Sequence, residues 1–177
     1  MEVEVYHPAY KTQAFTIQMG EKPFVENINL EKWPLLEKII AKSSNDSYNS
    51  DDWCSVKVTT PVSSCITSLD SGSNDFQSGD KNTFTNLNTD GYLGDYWNSG
   101  NCQDFNITSL KQLEIMRTRK DIHNWWLGDY IKLESDNPCV NYKCTNYDWI
   151  AADDIWHKFD CKLYQRNQKS CLNATIY

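Results

Sequence analysis

Seven cysteines in 177 residues, with no two of them in a CxxC pair, constrain this chain more than any other feature. They are Cys54, Cys65, Cys102, Cys139, Cys144, Cys161 and Cys171. A zinc knuckle or a thioredoxin-type redox motif needs close pairs, and Cys139 and Cys144 lack the later CxxC or HxxxH that would complete a metal site. Disulfides account for such a set best, which places the chain in an oxidising compartment and predicts a secreted, extracellular protein. The spacings alone do not assign partners. The odd count leaves one thiol over, either buried or bonded to another chain.

Three sequons, headed by Asn45, Asn106 and Asn173, agree with a secretory route as glycosylation sites, although a chain this rich in Asn, Ser and Thr also produces sequons by chance. Residues 1–25 hold no basic start followed by an apolar run, so a leader is expected to lie outside this sequence. No stretch approaches the 18 apolar residues of a membrane-spanning helix.

The length suits one domain with appended segments, and a composition with 7 Trp and 10 Tyr but a polar excess of Asn, Ser, Thr and Asp reads as β-structure with long loops. Seventeen Lys and Arg against 24 Asp and Glu give a formal charge of −7. That balance argues against a sequence-independent nucleic-acid binder, which needs a basic face to displace counterions. It argues equally against adhesion to anionic lipid by charge alone, unless a cation bridges the two.

Val3 and Val5, then Phe15, Ile17 and Met19, fall at period two, as in half-buried strands. Pro34 followed by Leu35, Leu36, Ile39 and Ile40 predicts a short helix ending near Lys42. Residues 43–52 read as a polar loop. Cys54, Val56 and Val58 alternate with polar residues as a one-sided strand, and so do Phe105/Ile107, Leu113/Ile115 and Ile131/Leu133. Residues 117–121 read as a charged turn, and strands within 63–104 must be short. The tail from Pro138 carries four cysteines and the apolar residues Trp149, Ile150, Ile155, Trp156 and Phe159, and is expected to fold back over the sheet. The predicted fold is mainly β: an antiparallel β-sandwich with one short helix and a disulfide-stapled C-terminal tail. Its divisions are 1–52 (strands and helix packed on the sandwich), 53–135 (the core) and 136–177 (the cysteine-rich segment).

Leu110, Leu113 and Ile115 lead through a polar turn to Trp126, with Ile131 five and Leu133 seven residues later. Upstream, Gly79-x-x-Asn82-x-Phe84 is similar to a Gly-x-x-Asp-x-Phe signature, with Asn82 where Asp is usual. On these residues, the stretch 53–134 resembles the PLAT/LH2 domains, β-sandwich modules of lipoxygenases and lipases. The resemblance implies a binding module, Trp126 inside the sandwich, and loops that often hold calcium.

Asp75, Asp80, Asp90 and Asp95 are the candidate calcium ligands. The run Asn86 to Gly91 opens like an EF-hand loop, but the twelfth position is Trp97 rather than a bidentate Glu, so an EF-hand is excluded. Adjacent residues of a regular strand point to opposite faces, so with Trp126 inward Trp125 points outward. Trp97 and Trp125 are the candidate binding residues, since exposed Trp concentrates at interfaces. His7, His123 and His157 sit in no nucleophile or HExxH context, and no catalytic residue is expected. The reading is a non-enzymatic module engaging a protein, or else a lipid surface or glycan, with calcium as a candidate aid. A toxin-like or lectin-like effector of unrelated sandwich fold and a small secreted hydrolase are the alternatives.

Overall fold

Alternation is the local rule that builds most of this molecule. In the computed structural model, the described residues are 2–7, 10–16, 33–47, 54–69, 75–88, 91–93, 96–98, 101–117, 125–151, 153–165 and 171. The chain divides into two units, Met1–Trp33 and Pro34–Tyr177. Within the first, β1 (Glu2–His7) and β2 (Tyr10–Thr16) form an antiparallel hairpin. Ile17 and Met19, also expected in strands, lie outside the described residues.

The second unit contains β3 (Leu36–Ser43), β4 (Cys54–Thr59), β5 (Ser64–Leu69), β6 (Lys81–Phe84), β7 (Gly91–Leu93), β8 (Tyr96–Asn98), β9 (Gln112–Arg117), β10 (Gly128–Ser135), β11 (Asn141–Thr145) and β12 (Trp156–Tyr164). Among the described residues β7 and β8 pair with each other as a two-stranded sheet. The other eight form one sheet in the order β5-β4-β9-β12-β11-β10-β3-β6, every neighbour antiparallel. β12 serves both halves. Its residues Trp156–Phe159 pair with β9, and Asp160–Tyr164 pair with β11. The sheet turns through this strand, so that Val56, Val58, Leu113 and Ile115 from one half share a single buried cluster with Ile39, Ile131 and Leu133 from the other. The result is a mainly β fold, one antiparallel eight-stranded sheet curled nearly into a barrel rather than two separate sheets.

Two expectations are corrected here. The helix after Pro34 is strand β3, an interior strand between β10 and β6. Ile39, Ala41 and Ser43 face inward by alternation, while Ile40 faces outward yet is also buried. Apolar residues on both faces of a covered strand mimic the i, i+1, i+4, i+5 pattern of a helix, and sheet pairing overrides that pattern. The second correction concerns the tail. It does not lie over the sheet but supplies β11 and β12, two interior strands.

Three disulfides form: Cys65–Cys102, Cys139–Cys171 and Cys144–Cys161. Cys144 and Cys161 are register partners across β11 and β12. Cys65–Cys102 ties edge strand β5 to the segment between β8 and β9, where Asn101 N–H also donates to Ile66 O at 3.2 Å. Cys54, the seventh, lies outside these three links and is fully buried in β4.

The core is closed by Trp126. Its indole is 0% exposed, donates through Nε1 to Ser43 Oγ at 2.9 Å, and meets Phe76 edge-on at 5.3 Å. Gly128 makes room for the ring, since a Cβ there would stand 2.7 Å from it. The loop before β6 explains the Gly-x-x-Asn-x-Phe pattern. Gly79 adopts φ +74, and a side chain there would meet Asn45 Oδ1 at 2.8 Å. Asn82 clamps the loop, accepting from Phe76 N–H and donating to Asp75 Oδ1 at 3.0 Å, and Phe84 stacks on Phe76 in the core.

Candidate functional site

Four of the exposed large apolar side chains lie on the segment before Trp126 and on the loop between β11 and β12. Trp126 and Ile150 form an isolated antiparallel bridge, Trp126 N–H donating to Ile150 O at 3.0 Å and Ile150 N–H to Trp126 O at 2.8 Å. Both side chains point into the core. By alternation their neighbours Trp125 and Trp149 point away, on the same outward face. Trp125 is 45% exposed, Trp149 37%, Tyr147 86% and Ile155 58%.

The loop carrying three of these residues is held rather than loose. Arg117, fully buried at the end of β9, donates through Nη1 to Ile150 O at 2.7 Å, and its own carbonyl accepts Asp154 N–H at 3.1 Å. Asn146 Nδ2 donates to Lys158 O at 3.0 Å, and Asn146 Oδ1 accepts Asp148 N–H at 2.8 Å. A carbonyl with two lone pairs can serve both Trp126 and Arg117, so Ile150 becomes the fixed point from which Trp149 is presented.

Beside the rim lies a groove of about 410 Å³, lined among others by Tyr147, Asp148, Trp156, His157, Lys158 and Asp160. Lys57 Nζ sits 5.9 Å from the Trp156 ring centroid. His157 Nε2 lies 3.2 Å from Asp153 Oδ1, which also accepts Ile155 N–H, so this contact braces the loop. Rim and groove together offer aromatic faces, carboxylates and an amine for non-covalent contact.

Of the residues expected from sequence, Trp125 belongs to this rim. Trp97 lies in β8 opposite Tyr92, and its side chain is outside the described ones. Asp75 is buried against Asn82, and Asp80 follows the turn at Gly79, its N–H donating to Gln77 O at 3.0 Å. Asp90 and Asp95 lie outside the described residues, and among those described no three acidic, His or Cys side chains gather as a metal site. His123 and Asn173 are likewise outside. Asn45 is exposed, while Asn106 Oδ1 accepts from Thr108 N–H at 2.9 Å. Sequence reasoning missed Tyr147, Trp149 and Ile155, grouping the last two with core residues. The adjacency of Trp149 and Ile150 was the available signal, since only one of two neighbours in extended chain can face inward.

No protein-family model matches the sequence, and no curated protein does. Among solved structures, an alpha toxin from Clostridium absonum aligns at 14% identity and a TM-score of 0.49, covering 75% of this chain and 33% of the toxin. An alpha toxin of Clostridium perfringens from an avian strain aligns at 15% identity and the same TM-score of 0.49, covering 71% and 31%. The chain therefore spans about a third of the length of each toxin.

Proposed function

We propose that the chain is an extracellular, non-enzymatic, PLAT-like binding module that docks a protein partner on the rim formed by Trp125, Tyr147, Trp149 and Ile155. The observation that carries this reading is the rim itself: Tyr147, Trp149 and Ile155 exposed on a loop anchored by a buried arginine, and Trp125 exposed on the segment bridged to that loop. Monomeric proteins seldom leave large aromatics gathered at the surface without a use, and Trp and Tyr dominate interface hot spots. A pre-held loop loses little further freedom on binding, which favours affinity. The three disulfides support the extracellular setting. Trp126, Ile131 and Leu133, buried together, support the PLAT-like assignment.

The test replaces Trp125 and Tyr147 by Ser and measures binding to cell-surface protein extract and to liposomes. Protein binding is expected to weaken at least tenfold, the scale of hot-spot loss, with the circular-dichroism spectrum unchanged. Undiminished binding to protein removes the rim from the account, and a loss confined to liposomes makes lipid the partner.

Calcium enters the proposal through Asp75, Asp80, Asp90 and Asp95 alone. Ligation by these carboxylates raises the melting temperature with calcium concentration by mass action. Superimposable melting curves in calcium and in chelator take the ion out of the proposal.

A further inference from the structure

The formal charge of −7 conceals a basic face. Directly opposed residues of antiparallel strands project to the same side of a sheet. In the half made of β6, β3, β10, β11 and β12, one side is the core, with Ile39, Ala41, Ile131, Leu133 and Phe84. On the other side Lys132 stands opposite Lys143, and Lys143 opposite Lys162. In the next row Lys42 stands opposite Lys81, and Lys38 lies two residues from Ile40 on the same strand face. Six lysines thus share one surface with two carboxylates, Glu134 and Asp160. Glu134 is already engaged, with Lys38 Nζ at 3.1 Å and Tyr164 Oη donating to it at 2.7 Å.

Like charges directly opposed across strands weaken a sheet, so the row Lys132–Lys143–Lys162 opposes the fold that carries it. The amines are also positioned. Lys132 Nζ lies 5.1 Å from the centroids of both Tyr130 and Tyr164, and Lys143 Nζ lies 4.7 Å from that of Tyr130. Neighbouring strands are about 4.8 Å apart, so the row places three cations along about 10 Å. None of the exposed large apolar residues described for this chain belongs to these rows, so the face has cations and tyrosine edges but no apolar anchor for a bilayer.

We propose that this face binds an acidic polysaccharide, a linear chain bearing sulfate or carboxylate groups, along Lys132, Lys143 and Lys162. Linear polysaccharides bearing sulfate or carboxylate groups present anions at such repeated spacings outside the cell, the setting that the disulfides support. The site is separate from the aromatic rim and shares with the function proposed above only the extracellular premise.

Heparin is the probe, with neutral dextran as control, titrated at low and at high salt. Wild-type protein is expected to bind heparin and not dextran, with affinity falling steeply as salt rises. The triple variant Lys132→Gln, Lys143→Gln, Lys162→Gln is expected to bind at least tenfold more weakly, with a shallower salt dependence. Arg at the same three positions should preserve binding, and Lys111→Gln should leave it unchanged. The Gln variant should melt no lower than wild type, since it relieves opposed charges. The rim variant Trp125→Ser, Tyr147→Ser should keep full heparin affinity, which separates failure of one proposal from failure of the other. Heparin affinity within twofold of wild type in the Gln variant, equal binding to dextran, or binding to phosphatidylserine vesicles without binding to heparin would each overturn the proposal.

Discussion

Trp126→Ala is expected to destabilise the domain by about 3–5 kcal/mol in urea denaturation, the range for a large aromatic truncated in a core. The indole is fully buried and meets Phe76 edge-on, with Phe159 at 6.3 Å and Ser43 bonded to its nitrogen. Truncation removes those contacts and leaves a cavity that Gly128, lacking a side chain, cannot fill. It also strands the Ser43 hydroxyl, itself buried. The bridge to Ile150 is made by backbone and persists in principle, so the loss is one of packing. Trp125→Ala, one residue away but 45% exposed, should change stability by less than about 1 kcal/mol. Equal effects for the two would undo the assignment of inward and outward rings.

Replacing Cys65 and Cys102 by Ser is the second large effect, expected to cost about 3–4 kcal/mol from loop closure in the unfolded chain. The link closes a sequence separation of 37, the longest of the three. It also has a local role. β5 is an edge strand, and Cys65 lies beside Ile66, whose N–H donates to Asn101 Oδ1 at 3.1 Å. Without the link the covering loop is held at this edge by hydrogen bonds alone, and the exposed edge invites pairing with other chains. Thermal melts and light scattering read both consequences. Alkylation of the native wild type should label no cysteine and of the denatured protein only Cys54; three or more labelled sites would break the disulfide reading.

What the sequence makes legible depends on how many faces of a strand are covered. Val56/Val58, Leu113/Ile115 and Ile131/Leu133 have one apolar side, and each is found in a strand with that side in the core. β3 carries buried apolar residues on both sides, Ile40 lying among the lysines of the outer face, and that run matches a helical pattern as well as a strand. Trp126 was legible as a core residue from its distance to Ile131 and Leu133. The rim was half legible. Trp125 follows from Trp126 by alternation, whereas the adjacency of Trp149 and Ile150 says only that one of them faces outward, and the bridge between Trp126 and Ile150, 24 residues apart, decides which. Net charge misled for a related reason. It averages over the chain, while Lys132, Lys143 and Lys162 come from three strands and meet only through register.

β12 also fixes the order in which the molecule can be completed. It is the last of the described strands in sequence, yet it joins β9 on one side to β11 on the other. A nascent chain that has made everything before Trp156 holds two partial sheets, each with a raw inner edge and no shared border. Only when residues 156–164 arrive do those edges vanish, and Cys161 can then meet Cys144 as its register partner. The closing piece is therefore made after every other described strand. Until then the chain resembles an open book whose spine has not been bound, and any helper that guards it before that point must shield the β9 and β11 borders.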